Sequence, residues 1–133
     1  MLRDRVVKQA RKYLGVKFLH QGRTRHGLDC VGLAVVVAHD LGITEADEDG
    51  YGRVPSGRMM ERRLRAECEQ IPIDDALPGD LYHMAFDKQP QHIAMVTDHG
   101  IIHADNQHGV VEHWLDDTWR KRIRGAYRLP GVE

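Results

Sequence analysis

One of the two cysteines in this chain, Cys30, stands where a thiol can act as a nucleophile. Asp29 precedes it and can cap a helix, because its carboxylate can accept a free N–H group of the first turn. The following run, residues 31–41, is apolar on nearly every side and is followed by Gly42, a residue common at helix ends. Cys30 is therefore predicted to begin a buried helix whose N–H groups and dipole stabilise a thiolate. Taken alone, Cys30 would be read as a small core residue, as most free cysteines are.

Two histidines lie on short apolar segments that predict neighbouring strands. His92 opens one segment and His103 lies in the next. If Asp98 and His99 form a two-residue turn, His92 and His103 share a sheet face, about 7–8 Å apart between backbones. A three-residue turn would place them on opposite faces. With the shorter turn, and with the buried helix packed on the same face, Cys30 would point at His92.

These residues together predict nucleophilic catalysis by a thiol, with no cofactor. His92 would take the proton of Cys30 to give a thiolate–imidazolium pair. His103 would hold the far nitrogen of His92 and so fix its tautomer and orientation. The N–H of Cys30 would donate to the oxyanion, and water would cleave the resulting acyl-enzyme. We expect the rate to show a bell-shaped dependence on pH. Its two apparent pKa values would belong to the coupled Cys30–His92 pair and not to either residue alone.

The surplus of histidines makes metal binding an alternative. The chain has nine histidines, yet it contains no C-x2-C pair and no H-E-x-x-H motif. The close pairs, His99/His103 and His103/His108, span a turn and a loop. We therefore predict no dedicated metal site, and most of the other histidines are expected to be structural or to face solvent.

Composition points to one domain without nucleic-acid or membrane partners. The chain has 133 residues and a formal net charge of -1, so it has no overall basic field for nucleic acid. No apolar run approaches the ~20 residues that cross a bilayer, and the N-terminus shows no signal-peptide core. We expect a single domain over residues 1–133, made in the cytosol without an export signal. Cys68 is interpreted as a core residue, and a disulfide with Cys30 is not expected in a reducing compartment.

The order of the elements predicts an α+β fold with N-terminal helices packed on an antiparallel sheet. Helical spacing predicts helices over residues 2–14, 29–41 and 56–68, with Ser56 as the cap of the third. Turn signals then introduce strands near residues 80–86, 92–97, 101–104, 110–114 and 126–129. Asp116 or Asp117 is expected to cap one helical turn between the last two strands.

Taken in order, several segments resemble the NlpC/P60 family of cysteine peptidases. The matching segments, spread over about residues 6–130, are 10–22, 27–33, 77–81, 91–96 and 101–104. The resemblance implies a papain-like α+β fold with the nucleophile at the N-terminus of the central helix. It implies a catalytic triad of Cys30, His92 and His103. It also implies hydrolysis of peptidoglycan stem peptides, commonly between a γ-D-glutamyl group and a diamino acid.

Further features resemble the phage or gene-transfer-agent tail peptidases of this family. These are the His20-Gln21 loop, the short chain and the ending at residues 126–130. They imply a wall hydrolase carried in a phage tail, with tail proteins as partners. A structural or assembly component of the tail tip, which keeps the fold but turns over little, is the alternative.

Two residues near the cysteine depart from the family pattern. Phe18 stands where the family often has a tyrosine, whose hydroxyl is thought to help the oxyanion hole or the substrate, and His20 is the residue that could replace it. Val31 stands where a serine often follows the cysteine. Asp29 is kept, either as a substrate contact or as the helix cap. Phe18, His20 and Asp29 are therefore the predicted substrate-binding or oxyanion-binding residues.

Overall fold

The computed structural model describes residues 2–44, 59–86 and 91–133. Within these residues the helices are α1 (Leu2–Arg11), α2 (Cys30–Asp40), α3 (Met59–Glu67) and α4 (Asp117–Arg120). The strands are β1 (Arg23–Thr24), β2 (Gly27–Leu28), β3 (Glu69–Ile71), β4 (Leu81–Met84), β5 (His92–Thr97), β6 (Gly100–Asp105), β7 (Gly109–His113) and β8 (Ile123–Arg128). A 3-10 turn covers Ile73–Asp75. The predicted α+β class is confirmed.

The strands of the described chain form one antiparallel sheet and one small hairpin. The sheet has six strands in the order β3-β8-β4-β5-β6-β7, and β1 pairs with β2. The five predicted strands are present, β5 with the predicted bounds and the other four shifted by one to three residues. β1, β2 and β3 were not predicted. β1 and β2 have two residues each, and only Ile71 of the three residues of β3 is buried, so strands this short show no alternation. Ser56, the expected cap of α3, lies outside the described residues.

The turn between β5 and β6 has the length that the sequence predicts. Thr97 pairs with Gly100, which leaves Asp98 and His99 as a two-residue turn. Gly100 has a φ of 138°, and a Cβ there would lie 2.2 Å from the carbonyl oxygen of His113. Only glycine therefore lets β6 and the end of β7 approach this closely.

The two faces of the sheet carry separate cores. On one face, side chains of α1, α2 and α3 pack against alternate residues of β5 and β6, among them Ile93, Met95 and Ile102. On the other, the intervening residues Ala94 and Ile101 join a smaller core closed by side chains that include Phe86 and Trp119. His92 and His103 belong by alternation to this second face. The expectation that α2 packs on the histidine face is therefore wrong.

A buried carboxylate ties α1 to the centre of the sheet. Asp80 has no exposed surface, and it accepts hydrogen bonds from Arg128 at 3.0 and 2.9 Å and from the N–H of Leu77 at 2.9 Å. Arg3 of α1 adds an ion pair at 3.1 Å. Burial alone would raise the pKa of Asp80, but the hydrogen bonds from Arg128, Leu77 and Arg3 hold it below its ordinary value. Asp80 thus stabilises the fold as a carboxylate.

Asp80→Asn is expected to lower the free energy of unfolding by about 3 kcal/mol, because it leaves two arginines beside a neutral group. Urea unfolding measures this. The folded-state pKa of Asp80 is lowered, so its contribution is present above the unfolded value of about 3.9 and is lost as pH falls through the folded value. Asp74→Asn, an exposed control, should change stability by no more than about 0.5 kcal/mol. Equal effects of the two substitutions would contradict the assignment.

Within residues 2–44, 59–86 and 91–133, none of the helices has the length and apolar content that a bilayer span requires.

Candidate active site

Asp29 caps α2, as predicted, and Cys30 is the first residue of that helix. The Asp29 backbone is extended, and its Oδ1 accepts a hydrogen bond from the N–H of Gly32 at 2.7 Å. The same carboxylate accepts from Arg23 at 3.2 Å and from the N–H of Gln21 at 2.8 Å. Asp29 therefore holds both the helix start and the loop before it.

Glycines let that loop lie directly against the first turn of α2. A Cβ on Gly32 would lie 2.0 Å from the carbonyl oxygen of Gly22, and a Cβ on Gly22 would lie 2.3 Å from that of Gly27. Such distances are impossible for a side chain, so backbone packs on backbone here. The loop around residues 20–22 is thereby fixed beside the segment that leads to Cys30.

The other predicted binding residues lie in this loop. Phe18 forms an isolated bridge with Leu28 and packs, partly buried, against the main core. The ring of His20 is half-buried, with its Nε2 3.4 Å from the side-chain nitrogen of Gln21. Phe18 and His20 thus lie close in the chain to the residues that contact Asp29, and their role toward a substrate stays a prediction.

The thiol of Cys30 is buried, which favours its neutral form. Its residue is 6% exposed, and burial raises the pKa of the thiol to about 12. The backbone N–H groups of Ile93, Val31 and Cys30 itself favour the thiolate but do not offset burial, and the charge of Asp29 opposes it. Burial therefore opposes the resting thiolate–imidazolium pair that the helix position favours, and that pair stays a prediction.

The predicted contact between two strand histidines is confirmed. Nε2 of His92 lies 2.8 Å from Nδ1 of His103, and the two rings meet edge to face. Burial, with the charges of His103 and His83, holds the pKa of His92 well below its ordinary value. Burial and the charge of His113 lower the pKa of His103 to about 4. Both rings are therefore neutral at neutral pH.

A third ring, which the sequence reasoning missed, continues the line of hydrogen bonds. Nε2 of His103 lies 2.9 Å from Nε2 of His113, whose Nδ1 lies 2.8 Å from the carbonyl oxygen of Trp114. The register of β6 and β7 explains this contact. Ile101 pairs with His113, so His113 lies diagonally from His103 on the same face of the sheet. The alternation that relates His92 to His103 across the first hairpin also relates His103 to His113 across the second.

Cys30 and His92 come from opposite sides of the sheet. The N–H of Ile93, the residue after His92, is directed at the Cys30 sulfur, which places the thiol beside the start of β5. Nδ1 of His92 is buried and has no hydrogen-bond partner among the described residues. Catalytic hydrogen bonds are often loose without substrate and tighten when it binds. Nδ1 of His92 is therefore available to accept a proton from a donor that approaches it when substrate binds.

The described residues contain no group of three or more His, Cys, Asp or Glu side chains arranged to hold a metal ion. Four of the six ring nitrogens of His92, His103 and His113 are used in hydrogen bonds between the rings.

A family model and a curated relative both match this chain over most of its length. A model of the NlpC/P60 family matches residues 15–128. The chain is 29% identical over 126 residues to the probable endopeptidase NlpC of Escherichia coli (strain K12), a match that covers 91% of this chain and 74% of that protein.

Solved structures share the fold. The NlpC/p60 domain of the peptidoglycan hydrolase SagA superposes with a TM-score of 0.68 at 24% identity, covering 96% of this chain and 98% of that one. An NlpC/P60 family protein from Bacillus cereus ATCC 10987 gives a TM-score of 0.72 at 22% identity, covering 96% of this chain and 40% of that one. These likenesses confirm the predicted arrangement of helices on an antiparallel sheet.

Proposed function

The chain belongs to the NlpC/P60 family, and from that premise we propose that it is a cysteine peptidase of bacterial peptidoglycan with Cys30, His92 and His103 as its triad. The observation that carries the proposal is the hydrogen-bonded histidine pair with one open nitrogen, Nδ1 of His92, on the residue that precedes Ile93, whose backbone N–H is directed at the Cys30 sulfur. A buried basic nitrogen without a partner is costly unless function uses it.

The reaction follows from these groups. The Cys30 sulfur attacks the carbonyl carbon of the peptide while its proton passes to Nδ1 of His92. The oxyanion accepts a hydrogen bond from the N–H of Cys30. The carbon–nitrogen bond then breaks, and His92 returns the proton to the leaving amine. Water, deprotonated by His92, cleaves the thioester and regenerates the thiol.

The proposed bond joins a γ-D-glutamyl group to a diamino acid in the stem peptide. The family resemblance supports this choice, as does the likeness to a probable endopeptidase and to a peptidoglycan hydrolase domain. Synthetic stem peptides and purified sacculi, incubated with the protein and followed by mass spectrometry, test it. Release of a fragment that starts with the diamino acid supports the assignment. A product cut at any other bond rejects it.

The rate of hydrolysis is expected to hold a broad plateau across neutral pH. The lowered pKa of His92 keeps its nitrogen free of a proton until the solution is well below pH 6.5, the ordinary value. The raised pKa of Cys30, about 12, keeps the thiol proton available for the leaving amine into alkaline solution. Measured kcat/KM should fall on the acid side first. The apparent pKa values of the profile would belong to the coupled Cys30–His92 pair. A narrow maximum near neutral pH, or a rate that never falls in acid, would contradict this.

We place the activity in a phage tail. The loop with His20 and Gln21, together with the ending at residues 126–130, supports this placement through its resemblance to tail peptidases. Tail proteins would then be the partners, and the wall of the infected cell would be the substrate. Phage particles that carry Cys30→Ala should assemble normally and fail to deliver DNA. Loss of assembly itself would argue against a purely enzymatic role.

A structural or assembly role in the tail tip is the second candidate. The neutral, buried thiol favours it, as do Phe18 and Val31 in place of the family's common tyrosine and serine. Under this alternative, particles with Cys30→Ala would assemble and infect as well as the wild type. The same particle experiment therefore separates the two functions.

A further inference from the structure

Three imidazole rings form a continuous line from the buried start of β5 toward the surface. The ring centroids of His92 and His103 are 4.9 Å apart, and those of His103 and His113 are 5.0 Å apart. Trp119 packs on the last two rings, with centroids 5.4 Å from His103 and 4.5 Å from His113. The line ends on the carbonyl of Trp114. Solvent exposure rises along the line of rings: His92 is 1% exposed, His103 is buried and His113 is partly exposed.

The carbonyl at the end of the line sets the direction of every hydrogen bond in it. A carbonyl oxygen can only accept, so Nδ1 of His113 must carry the proton that it shares with Trp114. With one proton on the His113 ring, its Nε2 accepts from Nε2 of His103. Nδ1 of neutral His103 in turn accepts from Nε2 of His92. The nitrogen left over, Nδ1 of His92, holds a lone pair.

Counting protons gives the same answer. The three hydrogen bonds hold three protons, and three neutral imidazoles carry three protons. None remains for Nδ1 of His92, which is also the one nitrogen of the three rings that lacks a partner among the described residues. The geometry and the count therefore agree on which atom is the base.

We propose that His113, with the Trp114 carbonyl, is a positioning residue that fixes His92 in the tautomer carrying its lone pair on Nδ1. The consequence for catalysis rests on the proposed function, whereas the tautomer itself does not. Without His113, Nε2 of His103 loses its acceptor and the order of the line is no longer imposed. His92 can then carry its proton on Nδ1, and in that form it cannot accept the proton of Cys30.

The line also determines where added charge goes. A fourth proton, wherever it binds, leaves Nδ1 of His92 protonated, because the three hydrogen bonds remain filled. When His92 takes the thiol proton, the positive charge can reach the more exposed His113 through shifts within the hydrogen bonds. The other titratable groups that act on the line are His83, on His92, and Asp105, on His103. Asp105 is itself hydrogen-bonded to His108.

Nitrogen NMR of protein labelled with ¹⁵N-histidine tests the proposal without any substrate. Long-range spectra show which ring nitrogen carries the proton. In the wild type at neutral pH, His92 should be protonated at Nε2 and bare at Nδ1. His113→Leu should give His92 a mixture of tautomers, and His113→Gln, whose oxygen can accept from His103, should restore the wild-type form. His99→Gln, in the exposed turn, is the control and should leave the spectrum of His92 unchanged.

Activity supplies the second measurement. His113→Leu should lower kcat/KM by about 10- to 100-fold, the range typical when a hydrogen-bond partner of a site histidine is removed, and His113→Gln should recover most of it. A protein that cleaves no peptide yet shows the expected tautomers would reject the proposed function and keep this inference. An active enzyme whose His92 tautomer is the same in the wild type and in His113→Leu would overturn the inference alone. If His113→Leu does not fold, a wild-type spectrum with a proton on Nδ1 of His92 still overturns it, and a bare Nδ1 supports it.

Discussion

Cys30→Ala is expected to lower kcat/KM for stem peptides by about 10⁴-fold or more, because the attacking sulfur is lost while the remaining groups have nothing to activate. The substitution removes one buried atom and keeps the helix start, since the Asp29 cap bonds to Gly32 rather than to the thiol. Product release from synthetic peptides, followed by mass spectrometry, gives the rate. Circular dichroism of the same samples shows whether the fold is retained.

Cys68→Ala is the matched control for this experiment. Cys68 is the other free cysteine, it lies just after α3 and is partly buried, and burial raises the pKa of its thiol to about 11. Among the described residues, Cys68 shares no hydrogen bond or ring contact with His92, His103 or His113, so Cys68→Ala should keep wild-type activity. Equal product from wild type and Cys30→Ala would mean that hydrolysis does not pass through this sulfur.

His92→Gln should cost about 10³- to 10⁴-fold in kcat/KM. The glutamine amide can still hydrogen-bond to His103, but it has no basic nitrogen to receive the thiol proton. The loss should therefore fall on kcat more than on KM, because proton transfer and not substrate binding is removed. Steady-state kinetics over a range of peptide concentrations separates the two.

His99→Gln gives the comparison for a histidine outside the site. Its ring is exposed in the turn between β5 and β6 and pairs with Asp98. This variant should match the wild type in both constants. If His92→Gln retained activity within tenfold of that control, His92 would not be the base, and the proposed mechanism would fail.

The start of α2 was predictable because its signals are local. Asp29 caps the helix through a bond to Gly32, three residues ahead, and such caps are read from sequence alone. The hairpin that joins β5 and β6 was predictable for a similar reason, since a two-residue turn fixes the register for both strands. The contact of His92 with His103 followed from that register.

The face on which α2 packs could not be predicted. Alternation divides β5 into two sets of residues, but both sets are apolar, as Ile93 and Ala94 show. A strand buried on both sides gives no pattern that tells its faces apart. The choice is made by the whole sheet, through contacts far apart in the chain.

The burial of the thiol could not be predicted, for a related reason. A helix N-terminus favours a thiolate, and this can be read from the cap at Asp29. The opposing cost depends on burial, which comes from the packing of β5 and the core against Cys30. The balance between the two is a tertiary property, and here burial prevails.

The ion pair of Arg3 with Asp80 has a consequence for the connectivity of the chain. Arg3 also donates to the main-chain oxygen of Glu133 at 3.0 Å, and Leu2 lies beside Gly131. The two ends of the described chain are thus neighbours in space, and a short linker can join them. Cutting a linked chain in the exposed turn at residues 106–108 should yield a circular permutant that folds, and an exposed loop of a host protein should accept residues 2–133 as an insertion.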